Sequence, residues 1–314
     1  MGTGAWTTDD WNTFGKTTRT ASGATKSASD IFARTIHPDF DPLGIEIRES
    51  RDSAEHPNAT PVAVTLDVTG SMGRIPHSLI TDGLGDMVQN ILTRQPVADP
   101  QIMFMAVGDA KCDRYPLQAT QFEADIRIAE QLKQLYLEGG GGGNGGESYH
   151  LAWYFLAVKA AIDSFDKRGQ KGILFTVGDE NIHKTLKADE IKRVFGDDVE
   201  RDLTSKELLD MLERRFDVFH LQVIEGPYDN TGDHGERWRD LLGERVIPVT
   251  DYHEIPAIIV STLEVMAGRP KADIIASWNG STAVAVQEAI QGLAPSRGDL
   301  AATGGVWRPG LGIK

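Results

Sequence analysis

The stretch LDVTGSMGRIP, Leu66 to Pro76, closes an apolar run on Asp67 and then sets hydroxyls at Thr69 and Ser71 before turning helical. Alternate side chains of a chain leaving a strand face one way, and Gly70 has no Cβ to stop the backbone wrapping closely. Asp67, Thr69 and Ser71 are thereby expected to converge as hard oxygen donors. Magnesium takes near-octahedral oxygen ligands and keeps several waters, so two hydroxyls with one or two carboxylates make a sensible partial shell.

Outward from this stretch, short β-rich runs alternate with longer helical periods, the pattern of βαβ units and a mainly parallel sheet. Strands are expected at Val62–Leu66, Ile102–Val107, Ile173–Val177, Val218–Ile224 and Val246–Val249. Pro248 marks the last as an edge strand, and Pro116–Phe122 reads as a short antiparallel edge strand. Helical spacing links Ile75, Leu79, Leu84, Met87, Val88, Ile91 and Leu92, and again Leu151, Phe155, Leu156, Val158, Ile162 and Phe165. Segments near 124–137, 204–215 and 253–267 also read as helices, and STAVAVQEAIQGL leans helical. Residues 1–57 form an extension whose start, rich in Thr, Ser and Gly, reads as a partly flexible arm. Residues 58–268 are the expected domain and 269–314 a carboxyl-terminal extension.

The 314 residues suffice for a large core, and a net charge of −14 speaks against nucleic acid as the main partner, since phosphate contact needs Lys and Arg. The single cysteine, Cys112, fits a reducing compartment. No apolar run reaches membrane-spanning length and no signal pattern opens the chain, so a soluble cytoplasmic protein without membrane partners is expected.

Ligands of open parallel sheets bind outside the carboxyl ends of the strands, where the strand order reverses. Those ends carry Asp67, Asp109, Asp179, Glu225 and Asp251, an acidic rim. Any one of them, taken alone, reads as an ordinary turn former or helix cap.

Asp67 does not stand alone. DVTGSM resembles the D-x-[ST]-x-S metal-ion-dependent adhesion motif of von Willebrand factor A-type domains, and ILFTVGDE, with Asp179 closing a buried run, resembles their later strand-end Asp. The resemblance covers roughly 58–268 and is to the intracellular bacterial type. It implies a doubly wound, Rossmann-like α/β fold and a Mg²⁺ (or Mn²⁺ or Ca²⁺) that presents an open position to a partner's carboxylate. It also implies work beside an AAA-type ATPase or within a multi-protein assembly.

One element departs from the family. Where a Gly-Gly-Thr turn is expected, the chain has GGGGGNGGESYHLAWYFLA, Gly139 to Ala157. Counting back from the apolar helix puts Glu147 at the Thr position, with Ser148 and Asn144 as alternatives and Asp109 as a further candidate. A Glu147 ligand beside Asp67 and Asp179 would make the site net negative, and the ion would lose much of its attraction for an outside carboxylate. The ion would then be largely structural, or held by Glu147 until a partner displaces it. A Ser148 ligand would restore the usual charge.

Other residues weigh less. Cys112 has no partner at zinc spacing and reads as a packed or half-exposed thiol. Tyr228, His234 and Trp238 offer a recognition surface or simply cap a strand and staple the next helix. The first motif lacks the second carboxylate of a dehalogenase-type phosphatase, and no phosphate loop, nucleophile elbow or H-E-x-x-H helix is present. A non-catalytic, metal-dependent interaction module is therefore expected. A hydrolase using the acidic rim with Glu180 or His183 as base, and a structural part of an assembly, are the alternatives.

Overall fold

The structure is a computed structural model that describes residues 4–5, 7–139, 145–224 and 235–294. Six strands form its main sheet: β1 (Thr60–Asp67), β2 (Pro100–Val107), β3 (Leu117–Ala119), β4 (Gly172–Gly178), β5 (Phe216–Val223) and β6 (Val246–Val249). They lie in the order 3-2-1-4-5-6. Every neighbouring pair is parallel except β2 with β3. All five expected parallel strands are present, Leu117–Ala119 is the antiparallel edge, and Pro248 sits on the opposite edge, where its missing N–H breaks no ladder.

Parallel strands need cover on both faces, which is why β2 and β4 are buried along their whole length. Period two divides β1 between the two layers. Val62, Val64 and Leu66 join a core with α1 (Leu84–Arg94) and α3 (Ile255–Met266). Ala63 faces the other core, with α2 (His150–Lys159) and the helices Ala188–Phe195 and Ser205–Leu212. The chain is thus mixed α/β, with a mostly parallel six-stranded sheet flanked by helices. α2 is buried on all sides from His150 to Ala157, and its sequence is correspondingly apolar all round.

The structure corrects one helical expectation. The period running from Leu151 to Phe165 is not a single helix: α2 ends at Lys159, Ala160–Ile162 pairs parallel with Arg48–Ser50, and Asp163–Arg168 resumes as a separate helix. The partner strand lies far away in sequence, so periodicity within the segment carried no trace of it. The helix Ala188–Phe195, not anticipated, packs its Ile191, Val194 and Phe195 into the second core.

Both flanking segments contact the sheet domain. The helix Thr8–Thr17 buries Phe14, and Phe32 and Phe40 join the same core. At the other end, Lys271–Ala276 and α4 (Gly280–Ile290) pack on α3 and bury Ile274, Val286 and Ile290. Arg94 at the end of α1 stacks its guanidinium 3.9 Å from the Trp278 ring and pairs with Glu264 at 3.5 Å. Among the described residues no helix is long and apolar enough to cross a membrane.

Candidate functional site

The strand order reverses between β1 and β4, and Asp67 ends the first while Asp179 follows the second. These two carboxylates therefore flank the crevice in which doubly wound sheets take ligands. Beyond Asp67 the chain stays extended through Thr69, then Gly70, at φ +39°, opens a short 3-10 turn over Gly70–Gly73 that leads into the helical run ending with α1. The Ser71 side chain, Asn144, Glu225, Tyr228 and His234 lie outside the described residues.

Asp67 is buried and its two oxygens are differently engaged. Oδ1 accepts from the Thr69 amide at 2.9 Å and from the Thr69 hydroxyl at 2.6 Å. Oδ2 accepts from the Tyr149 hydroxyl at 2.7 Å. Tyr149, just before α2, is wholly buried against His220 and Trp238, which stack on each other at 3.6 Å. Gly178 makes room for it: a Cβ there would stand 1.8 Å from the Tyr149 hydroxyl. Burial pushes the Asp67 carboxyl up to about 7, with the nearby charge of Asp179 adding to the effect against three hydrogen bonds that favour the ion.

Glu147 pairs through its backbone with Ile182, beyond β4, and so is drawn to the same end of the sheet. It is 3 % exposed, and its Oε2 has no hydrogen-bond partner among the described residues. Burial, then the charges of Asp67, Asp109, Asp113 and Glu180, push its carboxyl up to about 9. Ser148 is committed elsewhere: its hydroxyl donates to Asp109 Oδ1 at 2.9 Å and accepts from the Ala110 amide at 3.0 Å.

Asp109 Oδ1 also accepts from the Lys111 amide at 3.0 Å and meets His183 Nε2 at 3.1 Å. Lys111 Nζ lies 3.1 Å from His183 Nδ1. An ammonium only donates, so Nδ1 accepts and Nε2 carries the proton toward Asp109. Both nitrogens of this imidazole are thereby engaged. Asp113 accepts from the Asp109 amide at 2.6 Å and completes the loop after β2. Cys112 is exposed, with Asp109 and Asp113 oxygens each 3.7 Å from its sulfur.

Of the anticipated residues, the fold brings Asp67, Thr69, Glu147 and Asp179 to one end of the sheet, and Ser148, Asp109 and His183 into an adjoining hydrogen-bonded cluster. Asp251 follows β6, where it caps the turn Tyr252–Glu254. Trp238 is a core residue whose indole donates to the Glu180 carbonyl at 2.9 Å, which corrects its reading as a surface for recognition. Asp113, which the sequence GDAKCD sets beside the rim with Asp109, lies in the adjoining hydrogen-bonded cluster, whereas Tyr149 and Gly178 were missed. Only its place at the head of an otherwise apolar helix hinted at Tyr149.

Among the described residues no three His, Cys, Asp or Glu side chains converge closely enough to hold a metal by themselves. Asp67, Glu147 and Asp179, the three carboxyl groups of the anticipated shell, therefore do not converge as a metal-holding set by themselves, and the shell would depend on the hydroxyls of Thr69 and Ser71 as well. Two observations are compatible with a hard cation: Glu147 Oε2 lacks a partner among the described residues, and burial together with the charges of neighbouring acids favours the protonated form of Asp67 and Glu147.

No family model matches the chain, and neither does any curated protein. Faint likenesses are found among solved structures. The pilus adhesin SpaC from Lactobacillus rhamnosus GG is 7 % identical at a TM-score of 0.47, over 69 % of this chain and 32 % of the adhesin. Proximal thread matrix protein 1 from the mussel byssus is 9 % identical at 0.42, over 67 % of this chain and 48 % of that protein. The chain thus spans about a third of the adhesin and about half of the thread protein. Likenesses at this level carry no functional information.

Proposed function

We propose that residues 58–268 form a von Willebrand factor A-type domain that binds a divalent cation, Mg²⁺ or Mn²⁺, at the crevice between β1 and β4 and so recruits a protein partner. Asp67, Thr69, Ser71, Glu147 and Asp179 would hold the ion. Bound there, the cation would supply an electrophilic position for an oxygen ligand and would neutralise the buried acids. The observation that carries this reading is the Glu147 carboxyl, buried beside other acids with one oxygen unpartnered among the described residues. It also favours Glu147 over Ser148, whose hydroxyl is already occupied twice.

Three carboxylates against two positive charges leave the site net negative, so an incoming carboxylate would first have to displace Glu147. Glu147 would act as an internal ligand that keeps the site closed until a partner arrives. The reading is non-catalytic, and it draws support from His183, whose two nitrogens are spent on Lys111 and Asp109. An AAA-type ATPase or a larger assembly is the setting that the resemblance implies for the partner.

Calorimetric titration of Mn²⁺ into the protein and into the Asp67→Ala, Asp179→Ala double variant tests the site. Binding is expected in the first and lost in the second while its circular dichroism is unchanged. Equal affinity in both would overturn the assignment.

A further inference from the structure

A second feature lies away from the crevice and stands independently of the metal reading. Arg48, in the short strand Arg48–Ser50, is 7 % exposed and lines a cavity of about 690 Å³ together with Phe40, Ile45, Ile47, Gln121 and Gln134. Its Nη2 donates to two backbone carbonyls, of Asp39 and of Ala119, the latter at 3.0 Å. Its Nε has no partner, and no carboxylate pairs with the guanidinium among the described residues. Burial lowers its pKa to about 10, partly offset by the charge of Asp39.

A buried cation held only by carbonyls is uncommon, because desolvating a charge costs several kcal/mol unless a counter-charge recovers it. The mouth of the cavity has two further properties. Ile47 at its rim is one of the three large apolar side chains that stand exposed among the described residues. Asp39 and Glu46 also border it, both exposed, with the Asp39 side chain 83 % accessible to solvent. Water screens those acids, yet they disfavour a ligand carrying several negative charges. The volume matches that of small-ligand sites.

We propose that this cavity binds a single carboxylate carried on an apolar body, the carboxylate meeting the Arg48 guanidinium and the apolar part lying against Ile45 and Ile47. Guanidinium and carboxylate are matched in shape as well as charge, so the site discriminates an acid from its amide. A free aliphatic acid and a peptide ending in an apolar residue both offer this chemistry.

Titrations followed by calorimetry use octanoate against octanamide, and a pentapeptide ending in free leucine against its carboxamide. At least one acid is expected to bind, about tenfold or more tightly than its amide. Binding of octanoate alone assigns the site to small acids, and binding of the peptide alone assigns it to chain ends. Neither acid binding, or acid and amide binding equally, overturns the proposal. Arg48→Gln should abolish the preference. Should that variant unfold, Ile47→Asp at the exposed rim keeps the test open: it should weaken acid binding about tenfold by like-charge repulsion and leave the melting temperature in place. Unchanged acid binding in Ile47→Asp would likewise overturn the proposal.

Discussion

Glu147→Gln separates the role of charge from the role of shape at the crevice. In the fold the Glu147 carboxyl keeps its proton up to about pH 9, while in the unfolded chain it ionises near its ordinary value of 4.5. Its contribution to stability is complete below 4.5 and declines as pH rises toward 9, because the unfolded state alone gains the charge over that interval. At pH 7 the forfeited contribution is about 3 kcal/mol, from the distance between that pH and the ordinary value at 1.36 kcal/mol per pH unit. Glutamine has the same shape and no proton to lose. In the presence of a chelator, the variant should match the parent near pH 4 and exceed it by up to about 3 kcal/mol at pH 7. The slope owed to Asp67, between 3.8 and about 7, should persist in both. Urea unfolding at a series of pH values, followed by the fluorescence of the buried Trp153 and Trp238, reads the difference. Adding Mn²⁺ at pH 8 should reverse the ranking, since only the parent offers the full shell and ligand binding stabilises the folded form by mass action. A parent whose stability is flat from pH 4.5 to 8, or a variant no more stable than the parent at pH 8 in chelator, would refute the account of Glu147 as a stranded acid.

Three further outcomes follow from the packing. Gly178→Ala places a methyl 1.8 Å from the Tyr149 hydroxyl and should cost about 2 to 3 kcal/mol in urea unfolding. Tyr149→Phe removes a buried donor to Asp67, should cost about 1 to 2 kcal/mol, and should raise the Asp67 pKa further, visible as the Asp67 decline in stability running on to higher pH than in the parent. Ending the chain at residue 268 uncovers the face of α3 on which Val286 and Ile290 pack and frees Arg94 from Trp278; the melting temperature should fall by several degrees, and no change would show that α4 adds nothing to the core.

Much of the sheet was legible because parallel strands are short apolar runs with acids at their carboxyl ends, and each of the five stands out locally. Asp67, Thr69 and Asp179 could be placed for the same reason: strand ends are marked in the sequence and share one end of a parallel sheet. Long-range pairing left no such mark. Nothing in Ala160–Ile162 announces a partner at Arg48–Ser50, and a helical period ran across it unopposed. Glu147 could be placed near the crevice by counting from a helix start, whereas the engagement of Ser148 with Asp109 has no mark in the sequence. Tyr149 carried only a faint signal as a site residue, because in sequence a tyrosine at the head of α2 reads as one more apolar residue of the buried segment that follows. For Trp238 the sequence left a recognition surface and a helix staple both open, and its stacking on His220 places it in the core.

The strand order 3-2-1-4-5-6 also has a consequence for biogenesis. As the chain leaves the ribosome, β1 and β2 can pair early, but the other edge of β1 waits for β4, which cannot form until Gly178 has emerged. Through that interval Val62, Val64 and Leu66 belong to a half-sheet with an open apolar edge, the state most prone to wrong pairing. The two sides of the crevice, Asp67 and Asp179, come together only when that edge closes, so cation binding would report completion of the sheet. Stalled nascent chains ending before Gly172 should be protease-sensitive and indifferent to Mn²⁺, whereas released full-length chains should gain protection when it is added; protection by Mn²⁺ in the shorter chains would show that half the sheet suffices to hold the ion.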